Sequence, residues 1–378
     1  MGTSRSATAE PRLDERERTR SLWSPQVGRI AGIPIRIHAT FLLLLAWIGA
    51  IHWFAGEGVA AAVEAVVLMC LVFASVVVHE LSHALVGRRF GVRTRDILLL
   101  PIGGIASMDR MPEKPMQELL VALAGPLTNV VIAGVLFGVV ALSGGSTSIE
   151  ALGLVHGGLL AQLAWINVSL AVFNLLPAFP MDGGRVFRAL LSTMMPRERA
   201  TRVAARVGQV LAVVFGLVGL AVNPVLVFIA IFIWIGAAEE ARQSEVSTAL
   251  AGVPASRAMM HDFRMLSPTS TLGQAAALVL DGWQRDFPVV DAGGVRGLLT
   301  RSSLIRALAH EAPGNSVEPV MDHDLVTASP TEPLQDVLVR MREKQAPAAL
   351  VVVAGALVGM ITPENVLDLL EISEARHA

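Results

Sequence analysis

The stretch Val76-Val77-Val78-His79-Glu80-Leu81-Ser82-His83-Ala84-Leu85-Val86 sets two imidazoles and a carboxylate inside an apolar run. In a helix, His79 and His83 leave the same face one turn apart, a spacing that lets both rings reach a single Zn2+. Glu80 is next to a ligand rather than opposite it. Its carboxylate can therefore act as general base on water whose pKa zinc lowers to about 7. Facing lipid, such a carboxylate would cost at least about 2–3 kcal/mol, so ionisable residues within a span mark a functional site. The competing reading is a cluster at a helix end on the membrane interface, since Arg88-Arg89 follow.

Composition favours the membrane. The 378 residues are 53% hydrophobic and 16% charged, against about 25% charged in soluble proteins, with a mean hydropathy of +0.59. A net charge of −2 gives no basis for a nucleic-acid partner. A single cysteine, Cys70, excludes an internal disulfide and a multi-cysteine zinc site, and reads as small core packing. Residues 1–25 are polar and Arg-rich and read as a disordered cytosolic tail, without the early apolar core of a secretory leader.

Six segments approach the roughly 20 apolar residues that cross a bilayer: about 39–55, 59–87, 116–142, 151–176, 203–221 and 223–241. Asn223-Pro224 breaks the last two into a hairpin. Basic residues cluster in the N-terminal lead, from Arg88 to Arg95, from Arg185 to Arg206 and after Arg242, whereas the loops near 55–58, 143–150 and 222–224 have none. By the positive-inside rule both termini are expected in the cytosol. Val92 to Pro115 is too polar to cross and too apolar for an ordinary loop. Ile97-Leu98-Leu99-Leu100 and Gly103-Gly104-Ile105 suggest a short hairpin or re-entrant segment, whose edge could pair with an extended peptide, or else an interfacial loop.

A catalytic zinc site needs a third protein ligand. Asp182 follows the fourth segment on the same expected side as His83. Pro177 and Pro180 break the helix there, and Gly183-Gly184 permit sharp turns that bring the carboxylate towards the metal. His38 and His156 read as interfacial, Asn167 as a packing hydrogen-bonder, and Asn129 as serving helix–helix backbone contacts.

From about 251 the composition becomes that of a soluble domain with an internal repeat. An offset of 62 residues lays Met259 on Met321, Pro268-Thr269 on Pro330-Thr331, Gly297 on Gly359 and Thr300 on Thr362. Residues 254–372 resemble a tandem pair of CBS domains. The resemblance implies adenosine-nucleotide binding, ATP being one form, with contacts from Thr300, Ser303, Thr362 and Asn365. Ser303 and Asn365 stand where family members that bind adenosine often carry an acid, and neither offers a carboxylate's charge-assisted bonds.

Three motifs then resemble, in order, the site-2 proteases: His79-Glu80-Leu81-Ser82-His83, Ala124-Gly125-Pro126-Leu127-Thr128-Asn129, and Asn174 through Gly184. The resemblance covers about 28–241. It implies an intramembrane metalloprotease with His79, His83 and Asp182 as ligands of one zinc and Glu80 as catalytic base. It puts Asn174 near the scissile carbonyl, where an amide donor could stabilise an oxyanion; a helix cap is the other reading of that residue.

The expectation is a polytopic α-helical membrane protein of six transmembrane helices with a re-entrant hairpin, plus a soluble α/β CBS pair. Its domains run 1–25 (tail), 26–241 (metalloprotease), 242–253 (linker), 254–312 and 313–372 (CBS) and 373–378 (tail). Expected partners are the lipid bilayer, a membrane-spanning protein substrate and a second copy through the CBS pair. The expected location is a bacterial cell membrane, with the CBS pair cytosolic. A CBS-gated transporter or channel, or a catalytically inactive scaffold, remains the alternative, although ionisable residues other than Glu64 gather towards one side instead of forming a path.

Overall fold

The computed structural model describes residues 23–108, 111–112, 114–145, 147 and 158–377. The chain divides into two compact units, Met1–Ala241 and Arg242–Ala378. The expected tail over residues 1–22 and His156 lie outside the described residues.

In the first unit, β1 (Gln26–Ile30) and β2 (Ile33–Ile37) form a hairpin, followed by helices α1 (Ala39–Phe54) and α2 (Gly58–Arg89). Next come β3 (Thr94–Leu100) and β4 (Gly103–Met108), then α3 (Pro115–Leu142), α4 (Leu159–Asn174), α5 (Asp182–Leu191), α6 (Arg197–Ala221) and α7 (Pro224–Ala249). Among the described residues, four helices, α2, α3, α6 and α7, are long and apolar enough to cross a membrane. The first expected segment forms a helix of 16 residues, and at 1.5 Å per residue it reaches about 24 Å against a hydrocarbon core of about 30 Å. Of the fourth, residues 151–157 lie outside the described residues, and the described part holds a helix of 16 residues. The count of six spans is thus not established. The break between the last two falls as expected: Asn223 Oδ1 accepts a 3.0 Å bond from the Val225 amide, capping α7.

Packing in this unit suits lipid. Large apolar side chains such as Leu43, Phe54, Leu142, Leu217 and Phe228 are exposed, while Ala84, Ala122, Ala164 and Ala204 are buried where helices meet. Small residues at such contacts let helix backbones approach closely when lipid, not water, surrounds them. Cys70 departs from the expected core position and is exposed on α2.

The hairpin expected between 92 and 115 is β3–β4, antiparallel, with Leu100 opposite Gly103 and Leu99 opposite Gly104. It does not stand alone. β2 adds to β3 in parallel and β1 closes the other side, giving a four-stranded sheet ordered β1-β2-β3-β4. Ile33 and Ile97 of this sheet bury against Ala84 of α2, with Leu81 and Ala106 alongside. The sheet therefore lies on the helix that carries the histidines, and β4 is one of its two edges.

The second unit repeats a strand–helix pattern. In the first half, α8 (Leu272–Asp281) precedes the hairpin β5 (Phe287–Asp291) and β6 (Gly294–Leu299) and helix α9 (Arg301–His310). In the second half, β7 (Val326–Ala328) and α10 (Leu334–Lys344) precede β8 (Ala349–Val353), β9 (Ala356–Ile361) and α11 (Pro363–His377). The halves exchange contacts: Met260 pairs with Met360 of the second hairpin, and Asp322 with Leu298 of the first. The matched glycines explain the register of the repeat. A Cβ at Gly297 would lie 2.6 Å from Met321 Sδ, and one at Gly359 2.7 Å from Met259 Sδ.

Candidate metal centre

Three donor atoms from two separate stretches of chain converge. His79 Nε2 and His83 Nε2 are 3.1 Å apart, and Asp182 Oδ2 lies 3.2 Å from the first and 3.0 Å from the second. Both imidazoles are buried, and their rings meet edge to face with centroids 4.7 Å apart. Four-coordinate zinc with bonds of 2.0–2.1 Å separates its ligand atoms by about 3.3–3.4 Å. The triangle thus has nearly the right edge, and two imidazole nitrogens with one carboxylate oxygen form a donor set zinc accepts.

The far nitrogens strengthen the fit. His83 Nδ1 donates to the Val121 carbonyl at 2.6 Å, and His79 Nδ1 to Asn129 Oδ1. Asn129 Nδ2 donates to Asn167 Oδ1 at 2.8 Å, so the amide oxygen is the atom that faces the ring. These bonds assign the protons to Nδ1 and leave both Nε2 lone pairs directed into the cluster. The chain continues: Asn167 Nδ2 donates to Leu163 O at 2.9 Å and to Ser75 Oγ at 3.2 Å. Asn129, which the sequence reading gives to backbone contacts, bonds a candidate ligand instead. The signal not weighed in the sequence is Ser75, which stands one turn before His79 and bonds Asn167.

Gly125 completes the cradle. A Cβ there would come within 3 Å of Nε2 of both imidazoles, so α3 lies against the rings only because that position has no side chain. Asp182 owes its place to local turns. α4 ends at Asn174 and α5 begins at Asp182, with Met181 extended as its cap. A Cβ at Gly183 would strike the Leu175 and Leu176 backbone, so the first turn of α5 packs directly on the preceding loop.

Glu80 is half-buried beside the cluster, and β4 presses on it: a Cβ at Gly104 would sit 3.0 Å from Glu80 Cγ. Asn174, the half-buried last residue of α4, is not among the three clustered donors. His38 caps α1, its Nδ1 accepting from the Thr40 amide at 3.3 Å. In the second unit, Thr300 caps α9, with its Oγ1 accepting from the Ser303 amide at 3.1 Å. Thr362 Oγ1 donates to Asn365 Oδ1 at 2.9 Å at the start of α11. All four polar residues expected at the nucleotide therefore also serve helix starts.

The model of peptidase family M50 matches residues 67–215, and that of the CBS domain matches 255–310 and 317–372. A zinc metalloprotease of Methanocaldococcus jannaschii is 32% identical over 363 residues, 94% of this chain and 98% of that relative. The Rip3 protein of Mycobacterium tuberculosis is 31% identical over 390 residues, 92% of either chain. Among solved structures, a site-2 protease from Methanocaldococcus jannaschii is 38% identical and covers 58% of this chain and 96% of its own, with a TM-score of 0.43.

Proposed function

Because this chain belongs to peptidase family M50, the site-2 protease family of zinc metalloproteases, and carries a tandem CBS pair, we propose that it cleaves a membrane-anchored regulatory protein in or near its transmembrane segment. It is an integral membrane enzyme, and family membership sets aside a transporter or channel. The observation that carries the reading is the convergence of His79 Nε2, His83 Nε2 and Asp182 Oδ2, with both Nδ1 atoms already bonded elsewhere.

In this reading His79, His83 and Asp182 hold the zinc. Bound there, zinc supplies a Lewis acid that acidifies water and polarises the scissile carbonyl. Glu80 takes the proton of the attacking water at its carboxylate and returns it to the departing amine. Asn174 turns its amide N–H towards the oxyanion. The substrate enters extended, because the edge of β4 offers a backbone template and Gly104 brings that strand against Glu80. A transmembrane helix would first have to unwind there.

We place the protease at residues 26–241, a linker at 242–253, and the CBS domains at 254–312 and 313–372. Both termini and the CBS pair face the cytosol of a bacterial cell, as the basic clusters indicate. The pair regulates cleavage through an adenosine nucleotide held by Thr300, Ser303, Thr362 and Asn365, and joins two copies of the chain. Replacing Glu80 by Gln tests the reading. The purified variant should retain zinc, lose cleavage and trap its substrate; persistent cleavage would refute the assignment.

A further inference from the structure

Arg188 stands on α5, two turns beyond Asp182, and is only 4% exposed. Its guanidinium is gripped from two sides. Nε and Nη2 lie 2.8 and 2.5 Å from Glu118 Oε1 on α3, and Nη1 donates to Glu240 Oε1 on α7. It also covers the ring of Phe179 at 5.1 Å, and Phe179 is a fully buried residue of the loop leading into Asp182. Glu118 is itself 1% exposed, and its second oxygen meets Arg197 of α6 at 3.2 Å.

Stability alone is a weak reason for such a cluster, since apolar side chains of similar volume often serve as well or better. Direction is a stronger one: a planar guanidinium fixes the angle between the elements it joins. The element it joins α5 to is informative. Glu118 lies one turn from Val121, whose carbonyl accepts the hydrogen bond of His83 Nδ1, and the same helix carries Asn129 against His79. One helix thus orients both imidazoles and, through Glu118 and Arg188, the element that begins with Asp182.

We propose that Arg188, bonded to Glu118 and Glu240, is a positioning residue that holds Asp182 against His79 and His83 and so sets metal affinity. The proposal rests on the reading of those three residues as zinc ligands. The test is a double-mutant cycle in zinc affinity, measured on purified full-length protein by competition with a chromophoric chelator. Its corners are wild type, Arg188→Met, Asp182→Ala and the double variant. Loss of an outer-shell partner lowers metal affinity by about 10–100-fold, and R188M should fall in that range. Once Asp182 is gone, the same substitution should change affinity by less than about twofold. Cobalt(II) in place of zinc gives a second readout, with the absorption bands of R188M moving towards those of D182A. Unchanged affinity in R188M overturns the proposal. So does an equal loss in both backgrounds, which is what a merely structural arginine would give. Should R188M fail to fold, Glu240→Gln completes the same cycle under the same criteria. If wild type binds no zinc, or D182A binds it as tightly as wild type, the ligand reading itself fails and the proposal falls with it.

Discussion

His83 Nδ1 stands 2.6 Å from the carbonyl oxygen of Val121, so the ring spends its proton on a neighbouring helix and turns Nε2 towards Asp182. His79 does the same through the amide of Asn129. Both candidate ligands are therefore oriented by partners on one helix, α3.

It follows that Asn129→Ala should lower zinc affinity by about 10–100-fold, the usual cost of an outer-shell partner. Asn167→Ala, one bond further from the ring, should cost less. Chelator competition on the purified variants measures both. An N129A protein with wild-type affinity would show that its bond to His79 is incidental.

Gly125→Ala should abolish zinc binding and cleavage together, because its methyl group would sit within 3 Å of both imidazole Nε2 atoms. Gly134 is on the same helix, but a Cβ there meets nothing within 4 Å. Gly134→Ala should therefore keep its zinc and gain roughly 0.5–1 kcal/mol from helix propensity. Elemental analysis beside thermal unfolding separates the two, and equal zinc contents would contradict the close packing of α3 on the rings.

In the CBS unit, Gly297→Ala should destabilise by about 1–3 kcal/mol through overpacking against Met321. Shortening the opposing side chain, as in G297A/M321A, should restore part of the loss. Thermal melting of the purified protein reads both. A double variant no better than the sum of the two single changes would mean the clash lies elsewhere.

Burial pushes the Asp286 carboxyl above its ordinary 3.8, although its Oδ1 accepts a 2.9 Å bond from the Arg301 amide. A carboxyl whose pKa is higher folded than unfolded favours folding below the unfolded value. That contribution is lost as pH rises through the folded one. Asp286→Asn, which keeps an acceptor oxygen and cannot ionise, should thus gain melting temperature relative to wild type as the pH is raised from below the ordinary carboxyl value of 3.8 to above it. A difference that does not change with pH would contradict the burial argument.

What could be read from sequence was whatever rests on short spacing. His79 and His83 declare a shared face by being four apart, and Pro177, Pro180 and the two glycines announce the turn that presents Asp182. The repeat was visible because Met259, Met321, Gly297 and Gly359 are constrained by their mutual contacts across the two halves. The β1–β2 hairpin was not foreseen, since its strands are five residues each and β2 joins the sheet through β3, about 60 residues away in sequence. Arg188 looked like one basic residue of a cytosolic cluster. Its partners, Glu118 and Glu240, lie 70 and 52 residues away in sequence, and no local pattern connects them.

The central claim is that His79, His83 and Asp182 together hold one zinc, and the most direct measurement is the metal content of the purified protein. Elemental analysis should find about one zinc per wild-type chain, as a catalytic site of this kind requires, and almost none in His83→Ala or Asp182→Ala proteins that still fold. Wild-type protein without zinc, or variants that retain the full complement, would contradict it.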